Sequence, residues 1–382
     1  MDAFGRPLRR RFLLERGTDF LNHGSFGATP RTVLAAAQRW RARMEANPDR
    51  FLRSVLPGAL RAAAARLARF LKVKAEDLVF VENATSGLNA VLRSLQLRSG
   101  DEILATTHTY NAVRQTLRHV CGQSGARLVE ARIALPVLHA EILETTLKKH
   151  LNKRTRLVVL DHIASPTGLV FPVKRLAALA RARGARVLVD GAHAAGQIDL
   201  DIASLGVDWY TGNCHKWLFA PKGCAFLWAR RGAQAGLHPT VISHGYGRGF
   251  AAEFDWTGTR DFSGWLAIPE ALDFFQNLRP QRLRAYCHGL VTRKAAELSA
   301  AWRTHCDGPP ALHGSMMAIR LPDSLQHRGP VELMAELLAR RRIVVPVMAL
   351  EGVLWARISA QAYNAPGDYD RLLRAFSRNS SR

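Results

Sequence analysis

Cysteine is scarce and scattered in this 382-residue chain: Cys121, Cys214, Cys224, Cys287 and Cys306, with no C-x-x-C pair. An odd number at such spacings argues against a disulfide framework and a zinc cluster, and fits small buried apolar side chains in a reducing compartment. No unbroken apolar run is long enough to cross a bilayer. The N-terminus, M-D-A-F-G-R-P-L-R-R-R-F-L-L-E-R-G, is positively charged but has only a short apolar core and no small-residue cleavage site, so no secretory signal is expected. Asp2 and Glu15 also count against an acid-poor mitochondrial presequence, and a cytoplasmic location is the expectation. Acidic residues are few: 31 against 54 Lys and Arg, a formal charge of +23. The basic runs, near 6–11, 61–69, 181–186 and 340–342, do not interleave with aromatics as a nucleic-acid stacking platform would. The charge therefore reads as arginine spread over helix surfaces, useful for drawing anionic ligands, and no nucleic-acid partner is expected. Internal repeats and low-complexity linkers are missing too.

Hydrophobic residues at 48% and charged residues at 22% describe a soluble globular protein. From about 78 to 229, short apolar runs alternate with amphipathic stretches. The expected strands are 78–81, 102–107, 126–130, 157–162, 186–190, 208–212 and 224–228. Alternation of this kind predicts βαβ units and an α/β fold with a mostly parallel seven-stranded sheet covered on both faces. Upstream, 30–71 is helical in pattern, interrupted at Asn47-Pro48 and Pro57-Gly58. Beyond 270 come long helical stretches (270–304, 330–341) and short strands near 315–321, 343–348 and 353–359, a smaller C-terminal α+β domain. The expected partition is an arm over 1–17, a large domain over 18–269 and a small domain over 270–382.

Four stretches at expected strand ends carry chemistry, since ligands of such sheets lie at the carboxyl ends of the strands. In V-E-N-A-T-S-G-L-N-A (81–90) a strand opens into a helix whose free N–H groups, with the Thr85 and Ser86 hydroxyls, would cradle a phosphate; alone, it reads equally as an ordinary N-cap. In V-L-V-D-G-A-H-A (187–194), Asp190 closes an apolar strand and needs a partner; a pyridinium N–H suits it, as does a helix-capping role. In T-G-N-C-H-K-W-L-F-A-P-K-G (211–223), Lys216 stands in apolar company, where desolvation lowers an amine's pKa and frees its lone pair for Schiff-base chemistry. Asn213 and His215 beside it could donate to a phosphate. S-P-T-G-L (165–169) follows another strand and could line the same pocket. A phosphate cradle, a strand-end Asp and a strand-end Lys together are the three fixed points that pyridoxal 5'-phosphate requires. No metal site is expected.

These stretches, with L-N-H-G-S-F-G (21–27), G-T-R-D (258–261) and R-I-S-A-Q-A-Y-N (357–364), resemble the class V aminotransferase family of fold-type I pyridoxal-phosphate enzymes, and within it the isopenicillin N epimerase-like proteins. The resemblance spans nearly the whole chain in the family's order. It implies that Lys216 carries the cofactor, Asp190 holds the pyridine nitrogen and His193 reaches the phenolate oxygen. Thr85, Ser86, Asn213 and His215 would bind the phosphate, with Thr259 completing the phosphate site of a neighbouring subunit in a homodimer. Tyr110 would stack on the cofactor ring, Ser165 would line its other side, and Arg357 would grip the substrate carboxylate. His23 and Gly24 fall on the substrate side; His23 reads either as a second acid or base or as the cap of a turn. The nucleophilic cysteine of the family's desulfurases is missing from R-I-V-V-P-V-M-A-L-E-G-V-L-W-A-R (342–357), which argues against persulfide chemistry. The resemblance implies Cα-proton abstraction from an amino acid by Lys216, with epimerisation first, C–S lysis second and transamination third. Epimerisation needs a second acid, for which Tyr110, His108 and His23 are the candidates.

Overall fold

The structure, a computed structural model, describes residues 3–376. Its centre is the seven-stranded sheet of β1 (Leu78–Val81), β2 (Glu102–Thr106), β3 (Arg127–Ala131), β4 (Thr155–Asp161), β5 (Arg186–Asp190), β6 (Trp209–Asn213) and β7 (Ala225–Ala229). The strand order is β1-β7-β6-β5-β4-β2-β3, every pair parallel except those of β7, which runs against both β1 and β6. All seven lie within two residues of expectation. The runs are nearly continuous in apolar residues because both sheet faces are covered. Val79, Ile103, Leu157 and Leu188 enter one buried cluster, whereas Phe80, Leu104, Val158 and Val187 enter the other, on alternate residues of the same strands.

Helices α1 (Arg31–Ala46) and α2 (Leu56–Leu71) precede the sheet. The chain breaks between them at Asn47, whose side chain accepts from the Arg50 N–H, and passes a π-helical turn at Phe51–Val55. Pro57 does not interrupt the second helix; it sits in its first turn, where a missing N–H costs nothing. Helices α3 (Ala84–Arg93), α4 (Asn111–Ser124), α5 (Glu141–His150) and α6 (Val173–Arg181) are among the segments between the strands. The stretch expected as one helix over 270–304 is two, α7 (Ile268–Asn277) and α8 (Pro280–Trp302), separated at Arg279 with φ 56° and restarted by Pro280.

The C-terminal part builds a second sheet from β8 (Met316–Arg320), β9 (Val347–Leu350) and β10 (Val353–Ser359), antiparallel in the order β9-β10-β8, with α9 (Pro330–Arg341) leading into it. The strand expected over 343–348 is divided. Ile343 and Val344 pair in parallel with Asp19 and Phe20, and β9 starts only after Pro346, which has no N–H to give a ladder. The N-terminal segment is thus hydrogen-bonded to the C-terminal part. Phe12 packs edge-on to Tyr363 as well, their ring centroids 4.9 Å apart. Cys121, Cys214, Cys224 and Cys287 are buried free thiols, as expected. Among the described residues no helix is long and apolar enough to cross a membrane, and no cluster of metal-ligating side chains occurs.

Candidate active site

A cavity of about 420 Å³ opens at the carboxyl ends of the parallel strands. Four neighbouring strands, β6, β5, β4 and β2, present their ends to it in a row. Lys216 follows β6, Asp190 closes β5, Asp161 closes β4 and Tyr110 ends the loop after β2; all four line the cavity. Thr85, Ser165, His193, Asn213 and His215 line it too.

The phosphate-cradle expectation rests on the start of α3. Asn83 caps the helix by accepting the Ser86 N–H at 2.9 Å, and Asn213 Oδ1 accepts the Ala84 N–H at 2.9 Å. The intervening Thr85 amide is left to the cavity. Asn213 so engaged keeps its amide NH₂ as a donor. Gly87 lets the helix come this close, since a Cβ there would lie 2.3 Å from Thr211 Oγ1 on β6. His215 Nδ1 faces the Cys224 carbonyl at 3.1 Å, and its pKa is lowered to about 4, chiefly by burial.

Lys216 is enclosed, and burial with the nearby Arg357 charge lowers its pKa to about 7, against a smaller opposing effect of Asp190. Its Nζ lies 3.2 Å from His193 Nε2, while the Trp217 indole N–H is directed at His193 Nδ1 at 3.4 Å. Burial drives the His193 pKa well down, so the ring is neutral. With Nδ1 accepting from Trp217, the proton of the neutral ring falls on Nε2, facing the Lys216 amine. Asp190 Oδ1 accepts the Ala192 N–H at 2.9 Å, and burial pushes this carboxyl above its usual range.

Arg357, on β10, is buried. Its guanidinium donates to the Ser165 carbonyl, to Ser25 Oγ at 3.1 Å and to Asn22 Oδ1 at 3.3 Å, while its Nε has no partner among the described residues. Ser25 and Ser165 both line the cavity, so the cation stands at its wall. Gly24 adjoins it: a Cβ there would lie 3.3 Å from Arg357 Nη2.

Four expected residues lie elsewhere. His23 does not line the cavity. It is completely buried behind Lys216, with Nε2 3.0 Å from the Lys216 carbonyl oxygen and Nδ1 2.8 Å from the Tyr363 hydroxyl, and burial lowers its pKa to about 3. Its ring caps no turn either; it braces the Tyr363 hydroxyl and the Lys216 backbone. His108 is buried with Nε2 3.1 Å from the Ile133 carbonyl and lines a different cavity. Ser86 turns its hydroxyl to Asn83 rather than into the cradle. Thr259 is exposed and outside the cavity, although the next residue, Arg260, pairs with Glu82 at the cavity wall.

Sequence reasoning missed several lining residues, among them Ser25, Asn83, Lys222 and Asp161. Lys222, lowered in pKa by burial, reaches the Gly27 carbonyl at 3.3 Å. Asp161 pairs in register with Asp190. Its signal was legible: L-V-V-L-D-H ends an apolar run in Asp just as V-L-V-D-G does.

This donor set fits pyridoxal 5'-phosphate. The cavity joins a buried amine of lowered pKa, a buried strand-end carboxyl on the neighbouring strand and an open helix N-terminus, so an aldehyde, a ring nitrogen and a phosphate each meet a complementary group.

The comparisons agree. The family model described as aminotransferase class-V matches residues 21–367. The chain is 35% identical to an isopenicillin N epimerase of Amycolatopsis lactamdurans, covering 97% of this chain and 98% of that protein. It is 32% identical to a putative L-cysteine desulfhydrase 1 of Oryza sativa subsp. japonica, over 95% of this chain and 83% of the relative. Among solved structures, a C-DES variant with glycine covalently linked to its PLP cofactor superposes with a TM-score of 0.82 at 22% identity, covering 97% of this chain and 99% of that one, which supports the fold. The chain belongs to the class-V aminotransferase family of pyridoxal-phosphate enzymes.

Proposed function

We propose that the protein removes the Cα proton of an amino-acid substrate and delivers another to the opposite face of Cα, as an epimerase does, working as a homodimer. The observation that carries this reading is the buried Lys216 amine, held near neutral pKa and hydrogen-bonded by His193 at the cavity. A base is most useful when its pKa lies near the working pH. When bound, pyridoxal phosphate supplies an electron sink that makes the Cα–H acidic. Asp190 would hold the ring nitrogen, His193 the phenolate oxygen, and the Thr85 amide with Asn213 and His215 the phosphate. Thr259, exposed on this subunit, would serve the partner's phosphate site. Arg357 fixes the substrate carboxylate through its planar fork, orienting the Cα–H toward Lys216. Lys216 Nζ takes that proton. Tyr110 ends the loop after β2, at the far end of the row of strands, and is the one of the three second-acid candidates that lines the cavity; its phenol returns a proton to Cα.

A second reading, β-elimination from a cysteine-type substrate, is favoured by the withdrawal of His23 and His108 from the cavity. It needs only one base, since Lys216 can pass the proton it has taken to the departing sulfur. The C–S lyase reading also agrees with the desulfhydrase relatives.

Incubation with an amino-acid panel in heavy water, including sulfur-containing and sulfoxide members, separates the two by NMR. Deuterium at Cα with scrambled stereochemistry and an otherwise intact amino acid is the expected result. Release of pyruvate and ammonia would establish the lyase reading instead.

A further inference from the structure

Asp161 has no part in the proposed chemistry, yet it is 3% exposed and lines the same cavity. It ends β4 directly opposite Asp190 at the end of β5. Register partners on adjacent parallel strands project to the same sheet face about 5 Å apart, so the two carboxyl groups are neighbours. Two buried carboxyls side by side do not both ionise at ordinary pH, because each charge opposes the other in a poorly solvated site. Lys216 acts electrostatically on Asp190, and Asp190 also accepts the Ala192 N–H. Asp161 faces a different set of groups: the Thr109 hydroxyl and the Tyr110 backbone N–H, both in the loop after β2. Thr109 Oγ1 in turn accepts the Thr106 N–H at 3.3 Å, so the hydroxyl bridges the last residue of β2 to Asp161. Burial and the Asp190 charge both push the Asp161 carboxyl well above its usual range.

We propose that Asp161 is a positioning residue of the cofactor site: it shares one proton with Asp190, so that a single negative charge remains there, and it pins the Thr109–Tyr110 turn that holds the Tyr110 ring at the cavity. This inference rests on the pyridoxal-phosphate reading of the site. Asp161 acts through two other residues, Asp190 for charge and Tyr110 for geometry. An amide is the closest mimic of the proposed neutral acid. Its oxygen can still accept from Thr109 and Tyr110, and its NH₂ can still donate to Asp190.

The test uses the holoenzyme and its Asp161→Asn, Asp161→Ala and Thr109→Val variants. The dissociation constant for pyridoxal phosphate is measured, together with the induced circular dichroism of the bound cofactor, which reports the asymmetry of its surroundings. Asp161→Ala is expected to weaken binding about tenfold, the size of one lost buried hydrogen-bond set, and to alter the dichroic band. Asp161→Asn should stay within about twofold of wild type with the band intact, while Thr109→Val should move both readouts in the direction of Asp161→Ala by a smaller amount. An Asp161→Asn dissociation constant about tenfold above wild type, with the dichroic band altered, would overturn the neutral-acid role, and it does so even if the alanine variant does not fold. An unchanged dissociation constant and band in Asp161→Ala would overturn the positioning role altogether. Wild-type protein that binds no pyridoxal phosphate would sink the reading of the site itself, and this inference with it.

Discussion

At the scale of single residues, Lys216 concentrates the argument. Borohydride reduction of the holoenzyme followed by peptide mapping is expected to place a pyridoxyl adduct on Lys216; an adduct on Lys222, which shares the cavity, would reassign the amine. The buried amine also makes a prediction about stability without cofactor. The fold carries Lys216 with a pKa of about 7 against 10.5 for a solvated lysine. Between those values the unfolded chain binds a proton that the folded chain does not, so stability rises with pH across this window, while below it the full penalty of charging a buried amine remains. Lys216→Met removes that penalty. The cofactor-free variant should therefore gain over wild type by as much as a few kcal/mol at pH 7 and below, with the gain shrinking toward pH 10. Urea melts at several pH values check this, and a pH-independent difference would mean that Lys216 is solvated after all. His23 carries the opposite lesson. Its neighbours in sequence, Asn22 and Gly24, said nothing of Tyr363 and the Lys216 carbonyl, which reach it from hundreds of residues away and fix it as a buried support.

At the scale of elements, the seven sheet strands were legible because strands buried on both faces are read directly as apolar runs, with no partner needed to recognise them. So was the location of the site, since Asp190 and Lys216 stand at strand ends whatever the strand order. What could not be read were features decided by remote contacts. Residues 343–348 look like one strand, but Pro346 and the pairing with Asp19 and Phe20 divide them. Ser86 and Thr85 are adjacent hydroxyls in the same turn, and only the Asn83 cap separates their tasks. The junction of α3 with β6 offers a direct test of the cradle. Gly87→Ala would place a methyl 2.3 Å from Thr211 Oγ1 and push the helix off the strand. We expect a loss of about 1–3 kcal/mol in stability, the range of overpacked cores, together with weaker cofactor binding. Thr211→Ser, which keeps the hydroxyl and removes only a methyl, should recover neither, whereas the Gly87→Ala, Thr211→Gly double variant should recover part of both.

For the whole molecule, the expected homodimer is the property most open to a simple measurement. Phe26 and Tyr110, large and exposed apolar side chains, lie at the cavity, and Val241, Ile242 and Tyr246 are exposed as well. Surfaces of this kind usually meet a partner. Light scattering of the holoenzyme should report a mass of twice 42.3 kDa, and a monomer with cofactor saturating would remove Thr259 from the site. One further consequence lies in the pairing of Asp19 and Phe20 with Ile343 and Val344, and of His23 with Tyr363. Residues 19–23 are thus held in place by residues from the far side of the sequence, 343–363. A nascent chain can close its central sheet once residue 229 has emerged, but the segment behind Lys216 and the Arg357 wall must wait for residues 343–363. A product truncated before residue 343 would therefore carry Lys216 without the residues that close in behind it.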